Sequence, residues 1–179
     1  MVDPITTRRI TYRALFLALA GLILFVGMLP LSAVPPRWPG PDLLLCLAFV
    51  WLVRRPDFVP AALIVAVFLV DDLFAMRPPG LWAALVLMAT EFLRSRETLL
   101  RELPFALEWL LAAVLFLVLE TAHWLLLALF IVPQQDFGQT VLRALVTGAC
   151  YPLVVLASLH AFGLRRTAMG EVDALGHRL

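Results

Sequence analysis

The chain has 179 residues, of which 63% are hydrophobic and 15% charged, and its formal net charge is +1. A soluble domain averages ~45–50% apolar and ~25% charged residues, so this composition excludes a separate water-soluble domain and points to one all-α integral membrane domain. All fourteen Lys or Arg positions are arginine; they form short clusters and no continuous stripe, which argues against a nucleic-acid partner and leaves the lipid bilayer as the contact.

The first apolar run, Tyr12 to Leu31, follows Arg8, Arg9 and Arg13 and is long enough for a hydrocarbon core of ~30 Å. It has the outline of a signal peptide, but the stretch is too long and Leu31-Ser32-Ala33 is a poor cleavage site, so a retained helix is expected. A loop with Pro35, Pro36, Trp38, Pro39 and Pro41 follows and suits the outer interface, where an indole sits well. The second run, 42–53, amounts to only ~18 Å of helix and ends at Arg54-Arg55-Pro56. The third is 57–74. These two runs form either two crossing helices or a re-entrant pair with Arg54 and Arg55 at its tip. The arginines favour full crossing, because a charged tip left in lipid is costly.

Arg77-Pro78-Pro79-Gly80 forces a tight outer turn before the fourth run, 81–93. Arg94 to Glu102 is charged, compatible with a helix, and reads as the main cytoplasmic loop. The fifth run, 105–132, is long enough that it must tilt or protrude, and after a short outer loop the sixth, 140–162, returns. Residues 1–165 thus form a single membrane domain of about six transmembrane helices, with 166–179 a short cytoplasmic tail. Eleven arginines (8, 9, 13, 54, 55, 94, 96, 101, 165, 166 and 178) fall in alternate gaps, against Arg37, Arg77 and Arg143 elsewhere. Positive charge is retained on the cytoplasmic side, which places both termini there.

Acidic residues inside apolar runs are the candidates for function. Asp57, Glu91 and Glu108 fall near cytoplasmic ends, where arginines are at hand, and Glu91 and Arg94 are spaced to pair on one helix. Asp42 and the pair Asp71-Asp72 fall at outer ends, with Arg77 and Arg143 as the nearby cations: a salt-bridge cluster, or a site for a partner or ligand. Glu120 and His123 share one face well inside the fifth run. The general expectation for such groups is an interior polar pair bonded to another helix; lining a cavity together with Trp124 is the alternative. One Glu-x-x-His pair is too little for a di-iron bundle. His160 falls at the cytoplasmic end of the last run and reads as a residue at headgroup level. Ala144 and Gly148 permit close helix approach, and Pro152 removes the hydrogen bond to the Gly148 carbonyl. Cys46 and Cys150 read as small hydrophobes. No catalytic triad, metal motif or phosphate loop is present, so neither an enzyme nor a cofactor is expected.

The order Pro41-Asp42-Leu43-Leu44-Leu45, Trp51-Leu52-Val53-Arg54-Arg55-Pro56, Leu69-Val70-Asp71-Asp72-Leu73-Phe74, Pro78-Pro79-Gly80-Leu81 resembles the bacterial rod-shape-determining protein MreD family over roughly residues 10 to 165. In that family a Pro-Asp opens a short second helix, an Arg-Arg-Pro type turn follows, and an aspartate precedes a turn glycine by eight residues, as Asp72 precedes Gly80. Asp71, Pro78 beside Pro79, and the acidic residues of the fifth run are not part of that pattern. The resemblance implies a non-enzymatic subunit of the cell-elongation machinery in the inner membrane. Its partners would be MreC and, through it, MreB filaments and the RodA glycosyltransferase with its transpeptidase. The resemblance also implies a fold like the substrate-binding subunits of ECF transporters. Partner contact is expected on the outer face around Pro41, Asp42, Asp71, Asp72 and Gly80. The alternative function is a small-molecule or lipid-binding membrane subunit of a transport system, with Glu120, His123 and Trp124 lining its cavity.

Overall fold

The computed structural model describes residues 4–29 and 39–162. The end of the first expected run at Pro30 and Leu31, the loop residues Pro35, Pro36, Arg37 and Trp38, and the tail with Arg165, Arg166 and Arg178 lie outside the described residues. The described chain is helical throughout, without strands: α1 (Pro4–Met28), α2 (Leu43–Arg54), a 3-10 turn (Pro56–Phe58), α3 (Ala61–Phe74), α4 (Leu81–Ser95), α5 (Glu97–Glu102), α6 (Phe105–Leu129) and α7 (Phe137–Phe162). By length and composition α1, α6 and α7 can each cross a membrane. The helices α2, α3 and α4 have 12, 14 and 15 residues, fewer than the ~17–25 of an independent span.

Several boundaries move, each for a local reason. Helix α1 starts at Pro4, a residue suited to a first turn, so Arg8, Arg9 and Arg13 lie on the helix and not ahead of it. The expected 57–74 helix is divided by Pro60, which stands extended at φ −65° and ψ 155° immediately before α3. Helix α6 stops at Leu129 and not at Val132, because Ile131 takes φ 55° and a residue before Pro133 is biased away from helix. Helix α7 begins at Phe137, three residues before the expected start, with the Gln139 and Thr140 N–H groups reaching the Asp136 carbonyl.

Helix α2 is the centre of the bundle. Ten of its residues are buried, and it packs on α1, α4 and α7. A short helix that is apolar on all sides needs neighbours on all sides. Around it, α6 lies against α7 and α3 against α4. Gly148 makes the first of these contacts close: a Cβ there would sit 3.2 Å from the Ala113 Cβ. The Gly148 carbonyl, which Pro152 leaves without its helical donor, accepts the Trp109 indole N–H of α6 at 2.8 Å. Leu22, Phe25, Leu110, Val118, Leu125, Leu145, Leu153 and Leu156 point outward and are exposed, an apolar surface that suits hydrocarbon and not water.

The six longer helices alternate in direction, which gives the bundle two chemically different ends. One is rich in arginine. There the Arg13 guanidinium donates to the Asp57 carbonyl at 3.1 Å, Arg9 lies 4.0 Å from the Asp57 carboxylate, and Arg94 donates to the Val59 and Pro56 carbonyls at 2.8 and 3.4 Å. The expected Glu91–Arg94 pair forms at 3.0 Å, and Glu97 pairs with Arg101 along α5. Tyr12, Phe16, Trp51, Phe58 and Phe162 pack their rings together behind these arginines. His160 is exposed near the same end, its Nδ1 within 2.8 Å of the Leu156 carbonyl. The other end carries Asp42, Asp71, Asp72 and Glu120.

Candidate functional site at the acidic end

Asp72 is the best-buried of these carboxylates, with no exposed surface. It projects from the last turn of α3, and its Oδ2 accepts the Gly80 N–H at 2.9 Å and the Ala83 N–H at 3.3 Å. It therefore caps the N-terminus of α4 from the preceding helix, where orphan N–H groups and the helix dipole both favour an anion. Gly80 sits at φ 91°, a left-handed conformation that a side chain would strain. The eight-residue spacing from Asp72 to Gly80 is thus the length of chain that brings a carboxylate back onto the next helix.

Arg77 completes this corner. It pairs with Asp71, its Nε lies 3.4 Å from Asp72 Oδ1, and its guanidinium covers the Trp82 ring at 5.5 Å. The opposite corner is built by Asp42 and Arg143. Asp42 Oδ1 accepts the Leu45 N–H at 2.8 Å and so caps α2, while Oδ2 lies 3.3 Å from Arg143 Nη2. The Asp42 N–H donates to the Thr147 hydroxyl, which itself donates to the Arg143 carbonyl. Arg143 Nε lies 3.3 Å from Glu120 Oε1, so Glu120 meets another helix, as expected of an ionisable group inside a bundle. The contact has the distance of an ion pair but no aligned hydrogen bond to Oε1. His123 lies 5.2 Å from the Trp82 ring, and its Nε2 has no hydrogen-bond partner.

These groups surround an open cavity of about 410 Å³. Its walls include Asp71, Arg77, Glu120, His123, Trp124 and Arg143, so all three residues expected to line a cavity do so. A second, more apolar crevice of about 370 Å³ opens beside it between α1, α2 and α3, lined by Ile23, Leu24, Pro41, Leu43 and Phe74 among others. Asp71, Ala75 and Arg143 line both spaces. Of the residues expected at an outer contact, Pro41 edges the crevice, Asp71 faces both spaces, and Gly80 stands partly exposed on the turn. The Asp42 and Asp72 carboxylates are turned inward, so they shape this face and present little of themselves to it.

Sequence reading missed two features. Arg143, expected as a cation near Asp42, also reaches Glu120, which makes it the hub of the site. The other is at the arginine end: Arg54 and Glu108, both buried, pair at 3.0 Å, and the Tyr151 hydroxyl donates to the same Glu108 oxygen at 2.6 Å. The signal was available, since an arginine and a glutamate bordering apolar runs are each too costly to bury alone. Among the described residues no group of three or more His, Cys, Asp or Glu is arranged to hold a metal, and both cysteines are free. No family model matches the chain, and neither a curated protein nor a solved structure is detectably similar to it.

Proposed function

We propose that this chain is a non-enzymatic membrane scaffold of the bacterial cell-elongation complex, an MreD-like protein that binds MreC in the inner membrane. The observation that carries the reading is the Asp72–Gly80 device. The residues and spacing on which the resemblance rests are those that build the α3–α4 corner, with Asp72 capping α4 and Gly80 turning the chain. In this reading the bundle crosses the bilayer six times with both termini cytoplasmic and the arginine end inward. The alternation of the helices and the arginine distribution support that orientation. The partner would meet the outer face at Pro41, Asp71 and Gly80, over the corners that Asp42 and Asp72 hold. MreB filaments and RodA with its transpeptidase would be reached through MreC.

Co-purification of the tagged chain with MreC from mild detergent tests this reading. A stable complex that Asp71→Asn, a change on the outer face that leaves the Gly80 turn intact, weakens without lowering membrane abundance is the expected result. Absence of any complex, together with normal rod shape after depletion, would overturn it.

The cavity favours a second reading, a small-molecule or lipid-binding subunit of a transport system. Its volume falls in the range of ligand sites, ~300–1,000 Å³, and its walls carry opposed charges at the depth where Glu120 and His123 lie.

A further inference from the structure

We infer that the paired cavity and crevice at the acidic end form a binding site for a phospholipid with an amine-bearing headgroup, of the phosphoethanolamine class. This rests on the cavity being a ligand site and does not require the transport reading or the elongation reading.

Three observations define the occupant. The first is shape and polarity. A polar chamber adjoins an apolar crevice, and the two share Asp71, Ala75 and Arg143 as a common wall. The crevice is faced by Ile23, Leu24, Val26, Leu43 and Phe74, and Val26, Leu43 and Phe74 are exposed on the bundle surface. An amphiphile fits this sequence of surfaces, with its chains along the crevice and its headgroup in the chamber. A wholly soluble ligand would leave the crevice unused.

The second observation is the cation at the junction. Each of the two guanidiniums meets two carboxylates, Arg143 those of Asp42 and Glu120 and Arg77 those of Asp71 and Asp72, but Arg143 lines both spaces and its side chain is 36% exposed against 15% for Arg77. In a phospholipid the phosphate stands between acyl chains and headgroup. A guanidinium at the corresponding point is the natural partner of a phosphate oxygen.

The third observation is the charge of the chamber. Its wall carries Asp71 and Glu120 beside Arg77 and Arg143, and behind the wall the inward-turned Asp42 and Asp72 draw on the same two guanidiniums, so at this end four carboxylates share two guanidiniums. Glu120 is 5% exposed and lines the chamber, yet its Oε1 has no aligned hydrogen-bond donor; His123 Nε2, also in the chamber wall, has none either. A lipid whose headgroup ends in an ammonium supplies N–H donors and positive charge to Asp71 and Glu120 while its phosphate engages Arg143. A phosphoglycerol headgroup adds net negative charge at an end where two guanidiniums already serve four carboxylates. A phosphocholine headgroup carries the positive charge but no N–H to donate.

Native mass spectrometry of the full chain, released from nanodiscs of equal parts phosphatidylethanolamine, phosphatidylglycerol and phosphatidylcholine, tests the inference. Preferential retention of one phosphatidylethanolamine is expected. Glu120→Gln should reduce that preference by about tenfold, as for loss of a charged hydrogen-bond partner. Ala75→Phe, which fills the shared wall without altering a charge, should abolish retention. Leu156→Ala, on an exposed face of α7 near the arginine end, should leave it unchanged. A thermal melt of each variant identifies any that is misfolded; Ala75→Phe carries the test if Glu120→Gln is. Retention of all three lipids without preference would overturn the headgroup assignment while leaving the cavity a lipid site. Retention of none would overturn the cavity reading as well. Displacement by soluble glycerophosphoethanolamine at concentrations comparable to the lipid would show that the crevice contributes nothing, and would overturn the assignment to a lipid.

Discussion

Removing one member of the Arg54–Glu108 pair should be among the most damaging single changes in this protein. The side chains are 8% and 2% exposed and meet at 3.0 Å, with the Tyr151 hydroxyl on the same carboxylate oxygen. Arg54→Met removes the guanidinium and leaves a buried carboxylate beside the Tyr151 hydroxyl of α7, and a change of this kind costs ~3–5 kcal/mol. That is a large share of a typical stability of ~5–15 kcal/mol. Glu108→Gln leaves the guanidinium buried with a neutral neighbour and should cost a similar amount. The double variant removes both charges and keeps an amide oxygen for Tyr151, so it should be less destabilised than either single variant. A coupling of roughly 2 kcal/mol or more is expected for groups in one buried network. Reversible unfolding in mixed micelles, followed by tryptophan fluorescence, measures all four corners of the cycle. Single costs below ~1 kcal/mol, the range of a solvated surface pair, or strictly additive costs would refute the claim that this pair is buried and mutually dependent.

Trp109→Phe should destabilise the bundle by about 1–3 kcal/mol, because it strands the Gly148 carbonyl; in a Pro152→Ala background, where residue 152 regains an N–H for that carbonyl, the same change should cost less, and thermal melts of the four variants read the difference. Gly148→Leu should drive α6 from α7 and lower stability by ~1–3 kcal/mol or more, with the melting temperature as the measure, since even a Cβ there lies 3.2 Å from Ala113. For orientation, cysteine placed at Met76, which is 94% exposed, and at Gln135 should react with an impermeant reagent in intact cells once Cys46 and Cys150 are replaced. Cysteine at Ser95 should react only after permeabilisation, and outside labelling of Ser95 would refute the six-crossing arrangement.

The helices were legible because each apolar run is bracketed by residues that stop a helix or cap the next. Asp42 opens α2, Pro56 stops it, and Gly80 opens α4, whereas Pro60, read as part of the third run, moves the start of α3 to Ala61. The Glu91–Arg94 pair was legible because both partners lie on one helix at a fixed spacing. Partners on different helices were legible only as a group, with Arg77 and Arg143 near Asp42, Asp71 and Asp72, and not pair by pair, and that is where the site lies. Arg143 meets Asp42 across 101 positions of sequence and Arg54 meets Glu108 across 54. Periodicity shows that such a group faces inward; which opposite charge it meets depends on how the helices are rotated and how deep they sit, and a single sequence does not encode that locally.

The two ends of the bundle use charge in opposite ways, and the difference supports the proposed site at the acidic end. At the arginine end the guanidiniums reach outward-facing carbonyls of a neighbouring turn, and Arg54 and Glu108 cancel within the bundle. Those groups lock helix ends together, with a small crevice beside Leu52, Val53 and Arg94. At the acidic end Asp42 and Asp72 do similar structural work as caps. Asp71 and Glu120 remain on the wall of an open space, with more negative charge around them than the two arginines offset. A bundle needing only stability could neutralise this end with further arginines, as it does at the other. Keeping buried acidic groups beside a solvent-reachable cavity is costly in an apolar surround; the pairs with Arg77 and Arg143 offset part of that cost, and in the binding reading proposed above a headgroup of complementary charge offsets more of it.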